Sequence, residues 1–250
     1  MSKDNRRLPV PSESKSPYLF VSKDKKPTVL VDENHLRSDG RKVGEIRPIY
    51  IRAGAVSQAR GSAYIEMGQT KVLCAVYGPR EVTRREDFSM KGQLKCELKF
   101  ATFSRRYRCQ HQSDNTEKDL SMVLRDTLEP AVCLDRFPRS HLDIFVTVLE
   151  DGGSALAAAI TCASVAIARG GIEMYDLVIG MTVYDEPPTD NGTVTVGWLP
   201  CIEQISGLTQ RGQMDISITK ECLKQCVASC QKMYPVIQQT LIKAHPNKLE

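Results

Sequence analysis

From Ser154 to Arg169 the chain carries no charge until its last residue, and alanine recurs throughout the run. Alanine is the strongest helix former, and a helix that is apolar on every side has to be buried. Gly170-Gly171 follows at once and supplies a glycine cap. The run therefore predicts a buried helix, which constrains the rest of the chain to pack around it.

Flanking segments supply what such a core needs. Ser62–Met67 and Lys71–Tyr77 read as two extended runs around Gly68-Gln69, a hairpin signal. From Gln93 to Phe103, Leu94, Cys96, Leu98 and Phe100 alternate with Lys95, Glu97 and Lys99, as in a half-buried strand. Leu120, Val123, Leu124, Leu128 and Ala131 fall at helical spacing between Glu117 and Val132. Leu142, Ile144, Val146 and Val148 give another alternating strand, closed by Asp151-Gly152-Gly153. Two further strands are predicted at Asp176–Val183 and Thr193–Leu199. A last helix begins near Thr219, shows Leu223, Cys226, Val227, Cys230, Tyr234, Ile237 and Leu241 on one stripe, and ends at His245-Pro246. These elements predict an α+β domain, a two-layer arrangement of mixed sheets packed with helices over a doubly wound sheet.

The chain has 250 residues, 41% hydrophobic and 26% charged, enough to bury one sizeable core and far from the composition of disordered or fibrous chains. Residues 1–30 differ. They hold four of the thirteen prolines and seven Lys/Arg against three acidic residues, which accounts for the whole net charge of +4. We read 1–30 as a basic tail and 31–250 as the folded domain. No stretch approaches the roughly 18 apolar residues of a membrane span, and Met1–Arg7 lacks an apolar signal core, so the expectation is a soluble intracellular protein with no membrane partner. Nine cysteines, an odd number set mostly in apolar runs, point to reduced thiols. Cys222, Cys226 and Cys230 recur every four residues without histidine or a C-x-x-C pair, which favours a packing stripe over a metal cluster. No metal or cofactor is predicted.

With the body neutral, any nucleic-acid contact has to be local. Between Arg80 and Arg108 nine Lys/Arg face four acidic residues, and Arg84, Arg85, Arg105 and Arg106 are the candidate nucleic-acid-binding residues. Few aromatics are available to stack bases, and Trp198 is the only tryptophan. Asp151-Gly152-Gly153-Ser154 joins a strand to the buried helix, where turn amides and the helix dipole converge. Such a junction suits phosphate, and the same glycines equally suit a tight connection.

Leu36–Arg41, Arg47-Pro48, Gly54, Gln58–Ala63, Thr70–Leu73, Tyr77–Glu81, Phe137–Ser140, Asp151–Ser154 and Gly171–Asp176 together resemble RNase PH and the subunits of the RNA exosome ring, in order from about Leu36 to Leu241. The resemblance implies the RNase PH fold (ribosomal protein S5 domain 2-like) and a place in a ring of six such domains around an RNA channel. Active relatives are phosphorolytic 3'-to-5' exoribonucleases. They use an arginine pair on the RNA backbone, a hydroxyl followed by an arginine on the glycine turn to hold phosphate, and carboxylates at the scissile bond. Here the arginine pair reads Asn115-Thr116. The turn keeps Gly152, Gly153 and Ser154, while its arginine is Ala155. The acidic strand of active relatives is shortened to Asp185–Asn191, a natural variant or a deletion. With no catalytic residue left, the resemblance implies a non-catalytic ring subunit supporting RNA processing and degradation, including rRNA maturation and mRNA decay. Implied partners are other RNase PH-like ring subunits, S1/KH-domain cap subunits, an associated catalytic ribonuclease and RNA. The implied location is nucleus, nucleolus and cytoplasm. An active phosphorolytic exoribonuclease and a free-standing RNA-binding protein are the alternatives.

Overall fold

The computed structural model describes residues 40–42, 44–82, 89–105, 108–184 and 192–244; the basic tail and the first residues of the expected domain lie outside them. Strands β1 (Ile49–Ala53), β2 (Gly61–Met67), β3 (Thr70–Glu81), β4 (Gln93–Phe100) and β5 (Ser140–Glu150) form one sheet in the order β1-β2-β3-β5-β4. Only β4 and β5 run parallel. The crossover between them carries α1 (Asn115–Leu128), because parallel neighbours need a long connection. Strands β6 (Ile179–Tyr184), β7 (Thr193–Leu199) and β8 (Gln204–Arg211) form a second, antiparallel sheet. The chain between the sheets forms α2 (Ala155–Arg169), and the described part ends with α3 (Ile216–Ala244).

The β2–β3 hairpin turns at Gly68-Gln69 as expected, with Met67 opposite Thr70 and Gly68 at φ +61°. Along β4, Leu94, Leu98 and Phe100 are buried and Lys95 and Glu97 exposed, matching the expected alternation.

Helix α2 is buried from Ala155 to Ile167. Being apolar all round it needs cover on two sides, so it packs against β2 and β3 on one face and β6 on the other. The expected two layers thus become a stack of sheet, helices and sheet. Close approach requires glycine on both sides. A Cβ at Gly61 of β2 would fall on the Ala166 carbonyl oxygen, and one at Gly180 of β6 on the Ala157 carbonyl oxygen. The few polar side chains of α2 tie it to both sheets. Thr161 Oγ1 accepts the Gly180 N–H at 2.9 Å, Ser164 Oγ accepts the Val178 N–H at 2.8 Å, and Cys162 Sγ donates to the Ala63 carbonyl at 3.2 Å.

Helix α3 buries Cys222, Cys226, Cys230, Met233 and Ile237 against β6, β7 and β1, so the cysteine stripe packs in the core. Burial pushes the thiols of Cys226 and Cys230 up to about 12. Among the described residues no three His, Cys, Asp or Glu side chains are grouped to hold a metal ion, and none of the described helices is long and apolar enough to cross a membrane.

Several boundaries differ from expectation. Helix α1 begins at Asn115 because Asp114 caps it, and gives way to a short 3-10 turn at Glu129–Ala131, where Pro130 cannot donate to a regular helix. The segment expected as a strand from Asp176 starts pairing only at Ile179. Asp176 instead accepts the backbone N–H groups of Leu177 and Cys201, at 2.7 and 2.6 Å, which anchors a loop. Strands β1 and β8 lie beyond the expected elements: β1 alternates over only five residues, Ile49, Ile51 and Ala53 against exposed Tyr50 and Arg52, and β8 carries no clean alternation.

Candidate functional site

Strand β5 ends at Glu150, and Asp151-Gly152-Gly153-Ser154 turns the chain into α2. Gly153 has φ +95° and Ser154 φ 61°, so two successive residues occupy the left-handed region. Gly152 is needed for contact, since its Cβ would lie 2.6 Å from Gln69 Cβ in the β2–β3 turn. The tight-connection reading of these glycines is therefore satisfied by geometry alone.

Several polar groups that could greet an anion here already have internal partners. The Ser154 N–H donates to the Tyr184 hydroxyl at 2.9 Å, and the Ser154 hydroxyl lies 3.3 Å from the same oxygen. The Gly153 N–H donates to Asp151 Oδ1 at 3.2 Å. Arg47 points Nη1 at the carbonyl oxygens of Gly152 and Gly153, each at 3.1 Å, and Thr70 Oγ1 donates to the Gly153 carbonyl at 2.5 Å. The next side chain, Ala155, is a buried methyl with no charge to offer.

The start of α1 shows the same pattern. Asp114 accepts the Asn115 N–H at 2.7 Å and the Thr116 hydroxyl at 3.0 Å. Glu117, 8% exposed, accepts the N–H groups of Phe100 at 2.9 Å and Asp114 at 3.2 Å, completing a reciprocal capping box. The helix dipole here is met by two carboxylates of the chain itself. An RNA phosphate would find Asn115, Thr116 and negative charge.

Arg105 joins the two regions. Its Nε lies 3.0 Å from Asp151 Oδ2, and its guanidinium sits 4.1 Å from the Phe100 ring centroid. It forms a shared wall of two clefts, of about 490 and about 430 Å³. The first reaches Asp151, and the second reaches Asp114, Thr116 and Glu117. Arg84, Arg85 and Arg106 lie outside the described residues, as does the Asp185–Asn191 loop. Arg80, at the end of β3, is 3.8 Å from Asp143 Oδ2 and 5.5 Å from the centre of the Tyr77 ring.

The motif reading names Arg47-Pro48 and Thr70–Leu73 without placing either at the turn, and gives no role to Tyr184 or Phe103. Asp114-x-x-Glu117 carries the spacing of a capping box, a signal that would have placed Asp114 at the helix start. Nothing in the sequence announces Tyr184, which reaches the turn only because β6 ends beside it.

Residues 45–173 match the family model of the 3' exoribonuclease family, domain 1. The chain belongs to this RNase PH family. It is 37% identical to the human and the mouse exosome complex component MTR3, over 98% of this chain and 96% of each relative. The archaeal exosome complex component Rrp41 of Cenarchaeum symbiosum is 33% identical over 85% of this chain and 93% of that protein. Two solved structures share the fold. Rice Rrp46 superposes with a TM-score of 0.72 at 23% identity, over 82% of this chain and all of that one. A chain of the Archaeoglobus fulgidus exosome with RNA bound to the active site superposes at 0.68 and 18%, over 81% of this chain and 92% of that one.

Proposed function

We propose that this chain is a non-catalytic structural subunit of the six-membered ring of RNase PH-like domains in an RNA exosome, supporting 3'-to-5' RNA processing and degradation by helping to form the channel through which RNA is threaded. Near full-length likeness to two MTR3 proteins supports the ring assignment. The observation that carries the loss of catalysis is the Ser154 N–H donating to Tyr184 beside a chargeless Ala155, in a turn whose nearby arginine is committed to backbone carbonyls. Each preorganised donor lost from such a site forfeits roughly 3 kcal/mol of transition-state stabilisation, and the site lacks several. Neighbours in this reading are other RNase PH-like subunits, S1/KH-domain cap subunits and RNA, with hydrolysis left to an associated ribonuclease. The complex works in nucleus, nucleolus and cytoplasm.

Two measurements test it. Affinity purification of the tagged full chain, with mass identification, is expected to recover RNase PH-like and S1-domain proteins. Incubating the purified chain with labelled oligo(A) and inorganic phosphate is expected to release no nucleoside diphosphate. Phosphate-dependent release that disappears in Ser154→Ala would instead establish an active phosphorolytic exoribonuclease.

A further inference from the structure

Strand β8 is a sheet edge with no strand on its outer side among the described residues; it pairs only with β7. The other edges are protected. Arg52 on β1, and Lys95 and Glu97 on β4, put charges on exposed positions of the outermost strands of the five-stranded sheet. Strand β6 lies between α2 and α3, with Ile179 and Met181 buried. From Gln204 to Gln210, by contrast, β8 carries neither charge nor proline. A long uncharged edge of this kind is a template for another strand.

The side chains of β8 point the same way. Opposed residues of antiparallel strands share a face, so Ile205 lies beside Trp198 and Leu208 beside Val196. Trp198 and Val196 are buried, on the face away from Gly197 and Gly207, which meet Thr127 of α1. Helix α3 covers that face over β6 and β7, whereas Ile205 stays 44% and Leu208 53% exposed. A register shift between Gly197 and Trp198 skips Ser206, which brings Ile205 and Leu208, three residues apart, to one face.

These two apolar residues are complementary to each other across a two-fold axis. An antiparallel pair of β8 strands with Ile205 opposite the second copy's Leu208 also sets Leu208 opposite that copy's Ile205. Ser206 then meets Gly207 at the axis, where small residues let the backbones approach. We propose that β8 pairs in this way with β8 of a second copy of this chain, joining two three-stranded sheets into one continuous sheet. The apolar pairs cover what α3 leaves open. The inference stands on the strand itself and goes beyond the ring reading, which co-purification tests separately.

The purified full chain is examined by sedimentation over a concentration series, and by hydrogen exchange above and below the midpoint. A strand pair is a small interface, so the expected result is a reversible monomer–dimer equilibrium in the micromolar range. In the dimer, exchange of the Gln204–Arg211 amides is expected to slow, and that of β1 and β4 to stay as in the monomer. Leu208→Lys removes two symmetry-related cross-strand pairs and is expected to weaken dimerisation about 2- to 30-fold. Leu208→Ile is expected to dimerise as the parent does. Ile205→Thr/Leu208→Thr keeps strand-forming residues without the apolar surface. It is expected to be monomeric with the parent's unfolding midpoint, which separates lost pairing from lost folding. A chain that stays monomeric at every soluble concentration overturns the proposal. So does a dimer indifferent to these variants, or one whose slowed amides map outside β8. Those outcomes leave the ring reading standing, whereas a parent chain that self-pairs through β8 but recovers no ring subunit removes that reading alone.

Discussion

The Tyr184 hydroxyl, at the last residue of β6, accepts the Ser154 N–H at 2.9 Å and so closes the N-terminus of a helix that begins on the other side of the sheet junction. Tyr184→Phe leaves that amide without its acceptor and is expected to lower stability by about 1 kcal/mol. Ser154→Ala keeps the amide bond and should be nearly silent. Urea unfolding of both variants checks this, and equal stability of parent and Tyr184→Phe would show that the contact contributes nothing.

Contacts between α2 and the two sheets leave no room for a methyl group. Gly61→Ala and Gly180→Ala each force a Cβ onto a helix carbonyl and are expected to destabilise by roughly 1–3 kcal/mol. Gly153→Val adds strain at φ +95° and is expected to lower soluble yield or ring incorporation. Thermal unfolding and co-purification with ring partners measure the two effects.

Glu117 serves two backbone N–H groups from a buried position. Glu117→Ala orphans both and should lower stability by roughly 2–3 kcal/mol, while Glu117→Gln, which keeps an accepting oxygen, should lose less. If the alanine variant unfolds no earlier than the glutamine variant, the carboxylate is not holding β4 to α1.

Alkaline pH should act through the helix α3 thiols. Cys226 and Cys230 are raised to about 12 by burial, whereas an unfolded cysteine ionises near about 8.5. The folded state prefers the neutral thiols, so their contribution is complete below about 8.5 and drains away as pH climbs toward about 12. Urea midpoints measured across that window should fall, and more shallowly in a Cys226→Ala/Cys230→Ala variant. An identical slope would exclude these thiols as the cause.

Replacing Arg84, Arg85, Arg105 and Arg106 by glutamine is expected to weaken RNA binding by the ring equally for different sequences and to flatten its salt dependence. Parental binding from low to moderate salt would assign the four arginines to assembly.

Much of this architecture is legible in the chain. The run at Ser154–Arg169 and the alternation around Ile144 fix a buried helix and a central strand, because burial on one or all faces leaves a period in the residue types. Strand β8 escaped because Ile205 and Leu208 are exposed, so the apolar residues there follow no inward face. At the candidate site, Asn115, Thr116 and Ala155 are readable as uncharged residues beside a helix start and a glycine turn. Which groups surround the turn is not, since Tyr184 and Arg47 come from distant segments and meet only when both sheets have closed on α2.

That two-sided cover also sets an order of synthesis. The five-stranded sheet is complete once Glu150 has emerged, and α2 can then settle on β2 and β3. Its opposite face, at Ala157 and Thr161, has no cover until Gly180 and the rest of β6 follow. A nascent chain paused in between displays an alanine-rich apolar surface, the kind that recruits chaperones or aggregates. Fragments ending before Tyr184 should therefore accumulate as insoluble material, and those extended through α3 should not.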